Sequence, residues 1–208
     1  MAQDAYRFYA GIYDKAYEPA EKKLRKIGLE VFPPQENLSI LDVGCGTGTQ
    51  LALYKKAGCK LTGIDQSPAM LAAAHQKLGE AAELRLEDAT HMTFDSQTFD
   101  LVTVVLVLHE MPPNLRPAVL QESLRVTKAD GRVLLIDYHF GPYPFPRGWL
   151  WKLVVTLGEI SVGRKHYNNY RDFIAHQGLE RLVTGQHLAV RQCVIVESGV
   201  AAIYLLQP

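Results

Sequence analysis

A chain of 208 residues with 48% hydrophobic and 21% charged residues has the composition of a globular protein. At that length one core buries about 70% of the unfolded surface. Its 22 Lys plus Arg are matched by 22 Asp plus Glu, so no basic excess is present to neutralise phosphates, and nucleic acid is not an expected partner.

Taken along the chain, residues 15–31 carry Leu24, Ile27 and Val31 on one helical face, and Pro33-Pro34 ends that helix. A short apolar run predicts a buried strand over 39–43. A loop with glycines at positions 44, 46 and 48 follows, and an amphipathic helix over 48–57. Strand, tight turn and helix start together bring backbone N–H groups close to a ligand, because glycine accepts φ > 0 and has no side chain to hold the ligand off. The loop therefore reads as a site for a nucleotide-type cofactor. Its spacing is G-x-G-x-G, whereas a dinucleotide fingerprint is G-x-G-x-x-G, and Thr49 stands where the third glycine would fall. Asp42 sits where a pyrophosphate would have to lie. Its carboxylate suits a cationic group better, such as a sulfonium or an α-ammonium.

A second strand over 60–65 ends in Asp65, about 20 residues beyond the first glycine, the spacing of a ribose-binding acid. Ser67-Pro68 supplies a cap and a first-turn proline for a helix over 69–78. Strands follow over 83–87, 99–107 and 131–138, with a helix over 115–126, capped by Asn114, between the last two. Strands alternating with helices predict an α/β fold with a doubly wound, mostly parallel sheet. Beyond residue 138, a proline- and aromatic-rich loop over 140–151 leads into a helix ending near 157. A helix over 168–176 and strands over 180–188 and 194–206 complete the chain.

Several of these segments share their order and spacing with a known family. Residues 39–48, Gly63-Ile64-Asp65, Leu86-Glu87-Asp88-Ala89, the run from Phe99 to His109, and the segment from Lys128 to Ile136 resemble the motifs of class I S-adenosylmethionine-dependent methyltransferases. The resemblance covers residues 36–138. Ala129 and Asp130 depart from the family's Leu-Lys-Pro-Gly-Gly turn, in place of proline and a glycine. It implies a Rossmann-like sheet of seven strands whose last strand is antiparallel, the final two forming a hairpin. It also implies S-adenosylmethionine as cofactor and S-adenosylhomocysteine as product.

The implied cofactor set is Asp42, Gly44, Cys45, Gly46, Gly48, Asp65, Gln66, Met70, Asp88, Ala89 and Val105. The three glycines would pass close to methionine and ribose. Asp42 would orient the loop or meet the ligand ammonium, Met70 would cover the adenine or face the core, and Asp88 would meet the adenine amino group. Tyr9-Ala10-Gly11-Ile12-Tyr13-Asp14 resembles the N-terminal segment in which a tyrosine covers the cofactor. Tyr13 is thus a cofactor residue and Tyr9 a substrate residue. His109 lies where the methyl should point, either as a general base or as a residue lining the site. Alignment alone could still supply most of the acceleration. Tyr138, His139, Arg147, Tyr167 and Tyr170 complete the expected substrate side.

The organisation expected is one methyltransferase domain: a helical lid over 1–35, a cofactor core over 36–138, a substrate-side insertion over 139–178 and a hairpin over 179–208. The aromatic wall over 140–151 suggests a small or lipid-like, apolar or ring-bearing acceptor, with Arg147, Arg164 and Lys165 available to an anionic head. Quinone-precursor and phospholipid methyltransferases fit that picture. Contact with a membrane surface is compatible with it, but no stretch reaches the roughly 18 apolar residues of a spanning helix. The first residues lack a signal peptide's apolar core. Cys45, Cys59 and Cys193 are too scattered for a disulfide framework, so a reducing cytoplasm is expected. No metal-ligand set is legible, since His75, His91, His176 and His187 have no clustered spacing. Two alternatives stand beside this reading. One is a non-catalytic S-adenosylmethionine-binding protein; the other, disfavoured by the glycine spacing and Asp42, is a nicotinamide-dependent oxidoreductase. Oligomeric state is not written in the chain.

Overall fold

Strands β1 (Ser39–Val43) and β4 (Phe99–Val105) lie at the centre of the sheet and are buried on both faces, mainly through apolar side chains, as a strand covered by helices on each side must be. The computed structural model describes residues 10–186 and 188–208, with side chains from residue 21 onward, His187 apart. β2 (Lys60–Asp65) and β3 (Ala82–Leu86) extend the sheet beyond β1, and β5 (Thr127–Tyr138) extends it beyond β4, all parallel. β7 (Ala201–Gln207) pairs antiparallel with β5, and β6 (Ala189–Val196) closes the edge, giving the order β3-β2-β1-β4-β5-β7-β6.

Alternate side chains of each strand go to opposite layers. Ile40, Leu101, Leu134 and Ile136 face α1 (Ala10–Val31), α2 (Thr49–Lys55) and α3 (Pro68–Leu78), where Leu24, Leu51, Tyr54 and Leu78 fill the layer. Leu41, Val102, Val133 and Leu135 face α4 (Arg116–Val126), α6 (Arg164–Ala175) and α7 (Gly178–Gly185), through Val119, Leu120, Phe173, Leu179 and Val183. Each such buried aliphatic side chain contributes about 1.5–3 kcal/mol. The strand order reverses between β1 and β4, so the loops leaving their C-terminal ends diverge and open a crevice there. Among the described residues no helix is long and apolar enough to cross a membrane.

Several boundaries differ from those read in the sequence. Residues 180–188 are not a strand: α7 occupies 178–185, because Leu179 and Val183, four apart, both enter the core. The expected strand over 194–206 is split by a left-handed turn at Glu197 (φ 49°) and Ser198 (φ 55°), so the hairpin is β6 with β7. Asn114 caps nothing; α4 begins at Arg116, with Leu115 at the cap and Pro117, which has no N–H to satisfy, in its first turn. β5 starts at Thr127 rather than 131, Thr127 pairing with Phe99 ahead of a register shift that carries the pairing on to Leu101 and Arg132. β4 stops at Val105, α5 (Arg147–Val162) runs past residue 157, and α6 starts at Arg164, Gly163 (φ 130°) separating the two helices.

Candidate functional site

The crevice at the reversal point is a cavity of about 950 Å³. Its floor is the loop after β1, where Gly44, Gly46 and Gly48 have φ of 67°, 52° and 76°. A Cβ on Gly46 would meet nothing within 4 Å, so bare main chain faces the open space. Gly48 does different work. It is absent from the cavity wall, and a Cβ there would lie 2.8 Å from Leu78 Cδ1, so this glycine lets α2 start close against α3.

Asp65, at the end of β2, holds the loop. Its Oδ2 accepts from Gly46 N at 2.8 Å and its Oδ1 from Ser67 N at 2.8 Å, tying the glycine turn to the start of α3. Ser67 caps that helix as its sequence predicts, its Oγ accepting from Met70 N at 3.1 Å. Lys77 adds a second tie, donating to Thr49 Oγ1 at 2.6 Å and Thr47 Oγ1 at 3.1 Å. Asp42 is only 2% exposed and accepts from Thr103 Oγ1 at 2.6 Å, yet it lines the cavity. Burial pushes its carboxyl up to about 7, against the opposing pull of the Thr103 hydrogen bond and the Arg25 charge. The same burial, with Asp42 and Asp65 beside it, raises the Cys45 thiol far above its ordinary value, so that side chain packs rather than reacts.

Gln66, Met70, Ala89 and Val105 line the cavity with Asp42, Gly44, Cys45, Gly46 and Asp65, as expected. Asp88 does not. It is exposed, and its Oδ1 accepts from the Thr90 N–H at 2.8 Å and the Thr90 hydroxyl at 2.7 Å, closing its own turn. Its neighbours Glu87 and Ala89 face the cavity instead. Tyr9 lies outside the described residues, and Tyr13 is described only as backbone within α1.

The substrate-side expectations fare less evenly. His109, 2% exposed, sits behind the wall rather than on it. Its Nδ1 lies 2.7 Å from Asp137 Oδ1, while Asp137 Oδ2 accepts from the N–H groups of Leu108 and His109 at 2.9 and 3.2 Å. Burial pulls the imidazole pKa down, but Asp137, Glu159 and Glu110 together outweigh it and hold the ring charged, at about 10. Tyr138 packs on His109 at 4.6 Å between ring centroids, and Tyr170 on Tyr138 at 5.4 Å, so both belong to a buried aromatic layer. Tyr167 and Tyr170 border a second, smaller cavity. His139 is tied to the β6–β7 turn, its Nδ1 3.0 Å from Gly199 O, and Arg147 is exposed at the start of α5; neither reaches the main cavity.

The wall also holds residues that sequence reasoning missed. Arg25 reaches it from α1, paired with Glu21 at 2.7 Å; a charge on an amphipathic helix ordinarily reads as solvent-facing. Glu110, His166 and Asn169 line the end beyond β4. Arg116 fastens that end, donating to Leu108 O at 3.0 Å, Asp172 at 2.7 Å and Asn169 O at 2.8 Å.

Comparison with known proteins agrees with this geometry. A family profile described as "Methyltransferase domain" matches residues 41–135. Demethylmenaquinone methyltransferase of Desulfitobacterium hafniense is 30% identical over 200 residues, spanning 88% of this chain and 78% of that one. Phosphatidylethanolamine N-methyltransferase of Cereibacter sphaeroides is 36% identical over 128 residues, spanning 57% of this chain and 61% of that one. Among solved structures, an S-adenosylmethionine-dependent methyltransferase from Aquifex aeolicus superposes with a TM-score of 0.66 at 18% identity, over 97% of this chain and all of that one, which speaks for the fold.

Proposed function

The chain belongs to the S-adenosylmethionine-dependent methyltransferases, and from that premise we propose that it methylates a lipid-like acceptor presented at a membrane surface. S-adenosylmethionine supplies an electrophilic methyl group on a sulfonium. The residues present suit it. Bare main chain at Gly46 admits close approach, and the Asp42 carboxyl is available to an ammonium. The Asp65 carboxylate, held at the end of β2 by the N–H groups of Gly46 and Ser67, would accept from ribose hydroxyls. Met70, Glu87 and Ala89 would flank the base.

The acceptor would enter at the other end, past Glu110, His166 and Asn169, where the wall continues into Val162-Gly163-Arg164-Lys165. Because His109 stands behind that wall with Nδ1 on Asp137, it has no direct line to an acceptor proton. Alignment of the acceptor against the sulfonium then supplies most of the acceleration.

One observation carries the lipid reading. On α5, which ends at the cavity wall, Trp149, Leu150, Leu153 and Leu157 are each more than half exposed. A contiguous exposed apolar face of this kind marks an interaction surface, and Arg147 and Lys152 on the same helix suit anionic headgroups. The two relatives, named for a quinone and a phospholipid acceptor, point the same way. Three unpaired cysteines, Cys193 among them exposed, support a reducing, cytoplasmic compartment. Co-sedimentation with anionic phospholipid vesicles tests the surface. Wild-type protein should pellet and Leu153→Glu/Leu157→Glu should stay in solution; equal partitioning of the two would rule out α5 as the docking face.

A further inference from the structure

Three side chains from separate elements converge beside the acceptor end of the cavity: His109 after β4, Glu159 on α5 and His166 on α6. Nε2 of His109 lies 3.5 Å from Glu159 Oε1, and Nε2 of His166 lies 2.8 Å from Glu159 Oε2. All three ligand atoms fall within 4.8 Å of one another. Around a tetrahedral zinc-class ion, with bonds of roughly 2.0–2.2 Å, neighbouring ligand atoms stand about 3.3 Å apart. Glu110 Oε1 stands further off, 3.9 Å from the His109 nitrogen and 3.7 Å from that of His166.

We propose that His109, His166 and Glu159 bind one divalent transition-metal ion of the zinc class. Two further observations favour a cation over a merely structural ion-pair cluster. Glu159 is only 6% exposed, and its carboxylate is enclosed by His109, His166 and Tyr138, with Oε2 2.8 Å from the His166 nitrogen and Oε1 3.5 Å from that of His109. A carboxylate buried this deeply needs positive charge beside it, and the two ring nitrogens that face it are groups able to share a cation with it. The second is the setting of His109. Asp137, itself 1% exposed and anchored by three backbone N–H groups, takes its Nδ1, which directs Nε2 at Glu159. A carboxylate behind a histidine in this way fixes ring and tautomer for metal ligation.

The chemistry of the set agrees. Two imidazoles and a carboxylate with no thiolate suit zinc, iron(II) or cobalt(II) rather than magnesium or calcium. Asp137, Glu159 and Glu110 place three carboxylates around two rings, an excess of negative charge that a divalent ion offsets. His166 and Glu110 belong to the cavity wall, so the remaining coordination position opens toward an acceptor. An acceptor hydroxyl bound there would lose its proton more readily.

Titration of chelator-treated, full-length protein with cobalt(II), followed by visible absorption and then by zinc(II) competition, tests the site without turnover. Failure there leaves the methyl-transfer reading untouched. We expect one cobalt per chain, with the intense visible bands of a four-coordinate ion, displaced by zinc. His166→Ala, at the wall, should weaken binding at least about 10-fold, and Asp137→Asn about 10- to 100-fold. Metal should raise the melting temperature of wild type and leave that of His166→Ala where it is. If wild type takes up no cobalt, or if folded His166→Ala, checked by circular dichroism, binds as tightly as wild type, the site does not exist. Wild-type uptake decides the matter alone should either variant fail to fold.

Discussion

Asp42 shows how one buried carboxyl couples stability to ligand binding. Its folded pKa of about 7 exceeds the ordinary 3.8, so the folded state holds a proton that the unfolded state has released between those values. Stability therefore falls as pH rises from about 4 to about 7 and is level beyond, by up to about 4 kcal/mol for a shift of this size. Urea unfolding at about pH 5 and about pH 8 should show this loss in wild type, and Asp42→Asn should flatten the profile. An ammonium beside Asp42 favours the ionised form, so affinity for S-adenosylhomocysteine should rise severalfold from about pH 5.5 to about pH 7.5. Calorimetry in which Asp42→Asn keeps the wild-type pH dependence would assign that rise to another group. Asp42, Cys45, Gly46, Asp65 and Met70 were legible in the sequence because each belongs to a strand end or the turn after it, where position is local. Asp88, expected at the adenine, lies outside the cavity wall, its carboxylate accepting from Thr90, while Glu87 and Ala89 line the cavity.

At the scale of elements, packing decides what local pattern leaves open. Over residues 178–185, Leu179, Leu182 and Val183 stand three and four apart as on a helix, although the family resemblance implied a strand of the final hairpin there. Leu179 and Val183 enter the core from that helix, and the hairpin forms from β6 and β7 instead. α2 and α3 are held close by Gly48, so Gly48→Ala should be costly: its φ of 76° and the 2.8 Å approach of Leu78 both oppose a Cβ. A drop of about 2 kcal/mol or more in thermal unfolding is expected there. The opposite holds for α5. Leu157→Glu on its exposed face should shift stability by no more than about 0.5 kcal/mol, whereas Leu134→Ala, at a fully buried position of β5, should cost about 2–5 kcal/mol. A Leu157→Glu variant that melts as early as Leu134→Ala would mean that this face is covered by the protein itself.

At the scale of the whole molecule, the reversal of strand order between β1 and β4 determines where a ligand can lie. That much follows from the alternation of strands and helices, which is why the cofactor end was readable before any coordinates. The acceptor end was not. It is assembled from the turn after β4, the junction of α5 with α6, and Arg116 pinning them together, and no spacing along the chain announces that docking. His109, Glu159 and His166 are brought together only by that packing. The whole arrangement is tested most directly by following a labelled methyl group. S-adenosylmethionine carrying the label would be incubated with the protein and vesicles containing demethylmenaquinone or phosphatidylethanolamine. Label should move into the organic-soluble fraction with wild type and stay behind with Asp65→Ala. Tight binding of S-adenosylhomocysteine together with no labelled lipid from either acceptor would contradict lipid methylation.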